Sequence, residues 1–165
     1  MTIKSLTSYR TELHPNMLWL EVETLDGVIG LGETFYAAEA VEAYIHNNLA
    51  PIVLGLSALD IGAIHNLTKP YIGFVGASVE MRARSALDIA LWDALGKVAN
   101  QPLSVMLGGR IRENIRIYNT CAGSRYARGT KVGMIENYGI QAPAGTEQFE
   151  DLHLFLNDPV SLAGS

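Results

Sequence analysis

The run from Ser78 to Gly108 constrains the fold most, because it reads as one long helix that keeps most of its circumference from water. Ala83, Leu87, Ala90, Ala94 and Val98 recur at helical spacing, and Ala86, Ile89, Trp92, Leu95 and Ala99 form a second apolar stripe. A helix with two such stripes is expected between two layers of other structure. Ser78 stands at the N-cap position, with Glu80 in the first turn, where a helix favours negative charge. Glu80 and Arg84, Arg84 and Asp88, and Asp93 and Lys97 are each four apart, which predicts three ion pairs along the helix. Asn100 stops it, and Gln101-Pro102 starts a short turn that Gly108-Gly109 closes.

Upstream, Ile3 to Tyr9 is rich in β-branched residues and reads as a strand, although its alternation is indistinct. Leu18, Leu20 and Val22 alternate with Trp19, Glu21 and Glu23 in the next one. Asp26-Gly27 is expected to supply two positive-φ residues of a tight turn before Val28, Ile29 and Leu31 return. Proline and polar residues make Thr11 to Asn16 a loop. Glu39 to Leu49 reads as a helix with Val41, Tyr44 and Ile45 on one face and Pro51 beyond its end. Asp60 is placed to cap another helix, containing Ile61, Ile64 and Leu67, that Pro70 breaks, and Lys69 to Gly76 reads as a loop. The fold class that emerges is α+β: a three-stranded antiparallel meander followed by a small helical bundle.

After Gly109 the texture changes. Ile115 to Asn119 reads as a strand, Thr120 to Pro143 as a long glycine-rich polar connection, and Thr146 onward as a helix carrying Leu152, Phe155 and Leu156 toward a core. Arg110, Arg112, Arg116, Arg125, Arg128 and Lys131 against Glu113 make residues 110–131 basic in a chain of net charge -5. No helix there carries a basic face and no aromatic ladder accompanies the arginines, so a pocket for an anionic small molecule fits better than a nucleic-acid surface.

A hydrophobic content of 48% in 165 residues is high for a soluble domain, and part of that surface is expected to need a partner. No run approaches the ~18 uncharged apolar residues of a membrane span, and the N-terminus has no signal-peptide core. A lone cysteine, Cys121, excludes an internal disulfide and suits a reducing compartment, so the expected location is cytoplasmic.

Ala83-Arg84-Ser85-Ala86-Leu87-Asp88-Ile89-Ala90-Leu91-Trp92-Asp93-Ala94-Leu95-Gly96-Lys97, followed by Pro102-Leu103 and Leu107-Gly108-Gly109, resembles the signature of the mandelate racemase and muconate lactonizing branch of the enolase superfamily. Gly30-Leu31-Gly32-Glu33-Thr34 is similar to that family's Gly-x-Gly-Glu strand end, where glycines allow close packing of the backbone. The resemblance implies a capping domain over residues 1–109 and the first β/α unit of a TIM-like (β/α)7β barrel over 110–165, with Ile115–Asn119 as the first barrel strand. A whole TIM barrel takes about 250 residues, so one unit is a small part of it.

The family abstracts a proton next to a carboxylate and stabilises the enediolate on Mg²⁺. The resemblance therefore implies a Mg²⁺-dependent dehydratase or epimerase acting on a sugar acid. Its base and metal ligands sit on later barrel strands, so no catalytic residue and no bound Mg²⁺ are expected in this chain, and the chain alone is expected to be inactive. Candidate substrate contacts are His14 and Asn16 in the first loop, Phe35 and Tyr36 at the third strand's exit, and Arg125 and Tyr126 past the barrel strand. The other reading of Phe35 and Tyr36 is aromatic packing between cap and barrel. Arg125 has the planar fork of a carboxylate clamp, against the reading of a solvated loop. Expected partners are the small-molecule carboxylate, and either further copies of the chain or the rest of a barrel; nucleic acid and membrane are not expected.

Other chemistries find no support. His14, His46, His65 and His153 lack zinc-site spacing, there is no Gly-x-Ser-x-Gly elbow, and Gly96-Lys97 lacks the glycine loop of a phosphate cradle. The rival reading is a non-catalytic binding or assembly module that uses the cap alone.

Overall fold

In the computed structural model, which describes residues 1–11, 16–69 and 78–117, the alternating segments become β1 (Ile3–Tyr9), β2 (Met17–Thr24) and β3 (Ile29–Phe35). They form an antiparallel sheet in the order β1-β2-β3. Leu18, Leu20, Val22 and Thr24 are fully buried on its inner face. Burial of each aliphatic one of these is worth about 1.5–3 kcal/mol, which makes β2 the centre of the sheet energetically as well as spatially.

The β2–β3 turn differs from expectation. Only Gly27 has positive φ, at 79°, while Thr24 donates to Val28 O at 2.9 Å and Gly27 donates to Thr24 O at 2.9 Å. A three-residue loop of this kind needs one left-handed residue rather than two. Asp26 is free of that duty and pairs with the Met1 ammonium at 2.9 Å.

The first helical segment runs further than the sequence suggests: α1 (Ala38–Tyr44), a π-helical turn over Ile45–Leu49, and α2 (Ala50–Val53). Pro51 lies inside α2 and not beyond the helix. The Ala50 N–H reaches back five residues to Ile45 O, a widened turn that accommodates a ring whose clash with the carbonyl four residues back would break a regular helix. Val41 and Ile45 are fully buried, as their spacing requires.

Helix α3 (Ile61–Leu67) buries Ile61 and Ile64 but leaves Leu67 58% exposed. Thr68 takes the inward position, its hydroxyl donating to Ile64 O at 2.8 Å. Asp60 precedes the helix without a side-chain capping bond.

Helix α4 (Val79–Ala99) lies along β3 and runs antiparallel to it, with Arg82 at Phe35 and Lys97 at Ile29. A Cβ on Gly30 would collide with Ala90 O, and one on Gly32 with Ala86 O, so the paired glycines are what allows helix and strand to touch through their backbones. Ala83, Ala86, Leu87, Ala90, Leu91 and Ala94 form the buried face, whereas Ile89 and Val98, assigned to apolar stripes, are exposed, as is Ala99. Ser78 occupies the N-cap position at φ 56° and ψ -119° and makes no capping bond, because an N-cap hydroxyl reaches the helix from the β region. Asn100 ends the helix in the left-handed conformation, with Gln101 N–H on Gly96 O at 3.0 Å. A short α5 (Leu103–Met106) closes at Gly108 and Gly109, both with positive φ.

Of the three expected ion pairs, only Asp93–Lys97 forms, at 2.7 Å. Arg84 is buried and pairs with neither Glu80 nor Asp88; it donates to His65 O at 3.0 Å and to Thr68 Oγ1 at 3.4 Å. Those acceptors sit at the carbonyl end of α3, the end of a helix that favours a cation.

By contacts the chain divides into two units, Met1–Arg10 with Met17–Ile111, and Thr11–Asn16 with Arg112–Ser165. In the second unit the described part of the expected barrel strand, residues 115–117, is not a strand, and Ile115 and Ile117 are exposed. A strand needs a neighbour to accept its backbone hydrogen bonds, and none pairs with it among the described residues. Tyr118 and Asn119, most of the 69–76 loop, the 120–143 connection and the helix from Thr146 lie outside the described residues.

Candidate functional site

The residues that converge on one another at the exit of β3 are Phe35, Tyr36 and Arg82. The strand ends because the next two residues, Tyr36 at φ 78° and Ala37 at φ 51°, are left-handed, and α1 starts directly after them. Two consecutive non-glycine residues in that region are uncommon and need support from their surroundings. Arg82, one turn into α4, supplies it: Nη1 donates to Phe35 O at 2.7 Å, and the guanidinium carbon lies 4.8 Å from the Phe35 ring centre and 5.0 Å from that of Tyr36. A cation over two aromatic rings is attracted by both. A hollow of about 430 Å³ opens here, lined by Glu33, Thr34, Phe35, Ser78, Met81, Arg82 and Ser85.

Of the six sequence candidates, the structure joins Phe35 and Tyr36. Phe35 is exposed and Tyr36 half-buried. Asn16 is a half-buried turn residue just before β2, and His14, Arg125 and Tyr126 lie outside the described residues. Arg82 was not among the candidates. One signal pointed to it: a cation at the N-terminal end of a helix is disfavoured by the helix dipole, so it calls for a partner elsewhere.

A second cluster joins β1 to the first helical segment. Ser8 Oγ donates to Glu42 Oε1 at 2.8 Å and lies 2.8 Å from His46 Nε2, while Arg10 Nε donates to Glu42 Oε2 at 2.9 Å. The Ser8 bond first, then Arg10, holds the Glu42 carboxyl below the usual range. Ser8 and His46 have the separation of a nucleophile and base, but the hydroxyl proton is committed to Glu42, so His46 Nε2 has to be the donor. That polarity makes the serine an acceptor from histidine, the reverse of nucleophile activation.

Two larger hollows, of about 490 and 510 Å³, flank Trp92 on α4. Among the described residues no three His, Cys, Asp or Glu side chains group closely enough to hold a metal ion. Among them, too, no helix is long and apolar enough to cross a membrane.

Residues 4–108 match the model of the mandelate racemase / muconate lactonizing enzyme N-terminal domain. The chain is 35% identical over 129 residues to a D-galactonate dehydratase from Cronobacter sakazakii, an alignment covering 77% of this chain and 33% of that protein. Among solved structures it is similar to an enolase of the mandelate racemase subgroup from Agrobacterium tumefaciens, at 44% identity and a TM-score of 0.70, over 78% of this chain and 35% of that one. It is also similar to an enolase from Sargasso Sea environmental sequencing, at 48% identity and a TM-score of 0.68, over 74% and 33% of the respective chains. The chain thus spans about a third of the length of these relatives. The three-stranded sheet with its helices has the architecture of that N-terminal capping domain.

Proposed function

The chain belongs to the mandelate racemase / muconate lactonizing enzyme family, and from that premise we propose that residues 1–109 are the cap, and 110–165 the first barrel unit, of a Mg²⁺-dependent dehydratase or epimerase of sugar acids. The observation that carries this is the 35% identity to a D-galactonate dehydratase. The reaction class is removal of a proton from the carbon next to a carboxylate. The metal, when bound, supplies charge stabilisation to the resulting enediolate.

The work of this chain's own residues is substrate selection and exclusion of water. Phe35 and Tyr36 present aromatic surface at the exit of β3, His14 and Asn16 flank the same substrate from the first loop, and Arg125 with Tyr126 holds its carboxylate. By itself the chain performs no proton abstraction. The carboxylate that lines the hollow beside Phe35, that of Glu33, accepts from Trp19 Nε1, and the carboxylate of Glu42 is tied to Ser8 and Arg10.

Exchange of the α-proton with deuterated solvent, over a panel of sugar acids with Mg²⁺, tests the reading. No exchange is expected from the chain alone. Exchange is expected from a chimera in which this chain replaces the corresponding N-terminal part of the D-galactonate dehydratase from Cronobacter sakazakii. Exchange by the chain alone overturns the assignment, and a folded chimera that exchanges none of the panel favours a binding or assembly module instead.

A further inference from the structure

We propose that Arg82 is a positioning residue that sets the turn carrying Phe35 and Tyr36, so that those two side chains meet the substrate in a fixed geometry. This rests on the reading of Phe35 and Tyr36 as substrate contacts. Among the described residues, four non-glycine residues have positive φ, and three of them, Tyr36, Ala37 and Ser78, lie on the two segments that Arg82 ties together. The fourth, Asn100, has the ordinary job of ending a helix. At one end Arg82 receives its place from the helix, its backbone N–H on Ser78 O at 3.0 Å. At the other it holds the last carbonyl of β3 and lies against both rings.

The chemistry is particular to arginine. One edge of the planar guanidinium donates to Phe35 O, while its π-face and charge remain available to the aromatic rings. Lysine reproduces the charge and can donate to the carbonyl but lacks the plane, and glutamine reproduces a donor without the charge. Backbone conformations as sparsely populated as those of Tyr36 and Ala37 persist only where the surroundings over-determine them, and strain of this kind gathers at ligand-facing turns. The Ala37 carbonyl accepts the Val41 N–H at 3.0 Å, so the first turn of α1 inherits whatever order the Phe35–Ala37 segment has.

The test pairs a local with a functional readout in Arg82→Gln and Arg82→Lys. In this chain, amide hydrogen exchange at Val41 is expected to accelerate about tenfold with glutamine and less with lysine, while exchange at Leu20 and Leu91 stays unchanged. In the chimera described above, with D-galactonate as probe, Arg82→Gln is expected to raise KM about fivefold with kcat within about twofold, and lysine to recover part of the loss. Unmoved exchange at Val41, or equal acceleration at all three amides, overturns the proposal. If KM rises while exchange is unmoved, Arg82 touches the substrate itself and only the positioning role falls. If exchange rises and KM does not, Phe35 and Tyr36 are not substrate contacts, and the proposal fails together with that reading.

Discussion

Leu31 donates its backbone N–H to Asp93 Oδ2 at 2.7 Å, joining the open edge of β3 to a helix 62 residues further along the chain. Lys97, the ion-pair partner of Asp93, donates to Ile29 O at 2.8 Å, and Arg82 to Phe35 O at 2.7 Å. Three side chains of α4 thus satisfy backbone groups of an edge strand that would otherwise offer a template to another chain. Asp93→Ala is expected to cost about 1–2 kcal/mol, the range of a partly exposed charged hydrogen bond. Urea unfolding should show a lower midpoint with an unchanged slope, and an unchanged midpoint would remove Asp93 from the fold's support.

The glycines of β3 and that of α3 should respond in opposite directions. Gly32→Ala forces a Cβ into Ala86 O, which costs about 1–3 kcal/mol or more, since neither backbone can yield. Gly62→Ala meets no atom within 4 Å and lies in α3, so a gain of up to about 1 kcal/mol is expected. Thermal midpoints of the two variants should fall on either side of the parent.

Stability should fall on acidification through Glu42. Its carboxyl is held below the usual range by Ser8 and Arg10, so the unfolded chain binds the proton more readily. The contribution is complete above the unfolded value and is lost as the pH falls through the lowered folded one. Arg10, Glu39 and His46 are the charged or titratable neighbours in the same network. Ser8→Ala should lower the melting temperature more at pH 7 than at pH 3, and an equal loss at both would exclude this linkage.

Trp92 and Leu95 pack only partly against the core, and Ile89, Val98, Leu103 and Leu107 are exposed on or just beyond the same helix. A surface of that character favours association. Light scattering should show oligomers or aggregates at raised concentration, and binding of a hydrophobic dye. Ile89→Lys should reduce both signals, whereas a parent chain that stays monomeric and dark with the dye would refute the expectation.

Arg125 is assigned the substrate carboxylate under the proposed function. In the chimera, Arg125→Ala should raise KM for D-galactonate at least tenfold while leaving the melting temperature unchanged. Wild-type values of both KM and kcat would move the basic segment from substrate binding to solubility or assembly.

What the sequence determined by itself was local or periodic. The bounds of β1, the inward set Leu18, Leu20 and Val22 and the stop at Asn100 all follow from residue spacing or from backbone freedom, which a neighbouring stretch of chain carries with it. The signature around Ala83–Lys97 likewise identified the family. Tertiary structure decided whatever depended on a competing partner. Arg84 left its helical neighbours for the carbonyl end of α3, Ser78 and Asp60 made no caps, Pro51 was absorbed by a widened turn, and Ile89 and Val98 stayed in water. The candidate site divides in the same way: Phe35 and Tyr36 were legible as aromatics at a strand exit, but Arg82, 47 residues from the carbonyl it holds, was not. Helical spacing specifies which side chains share a face, and only the packed neighbour specifies which acceptor is nearest, because a hydrogen bond or a ring contact is decided over a few ångströms of space and not by separation along the chain.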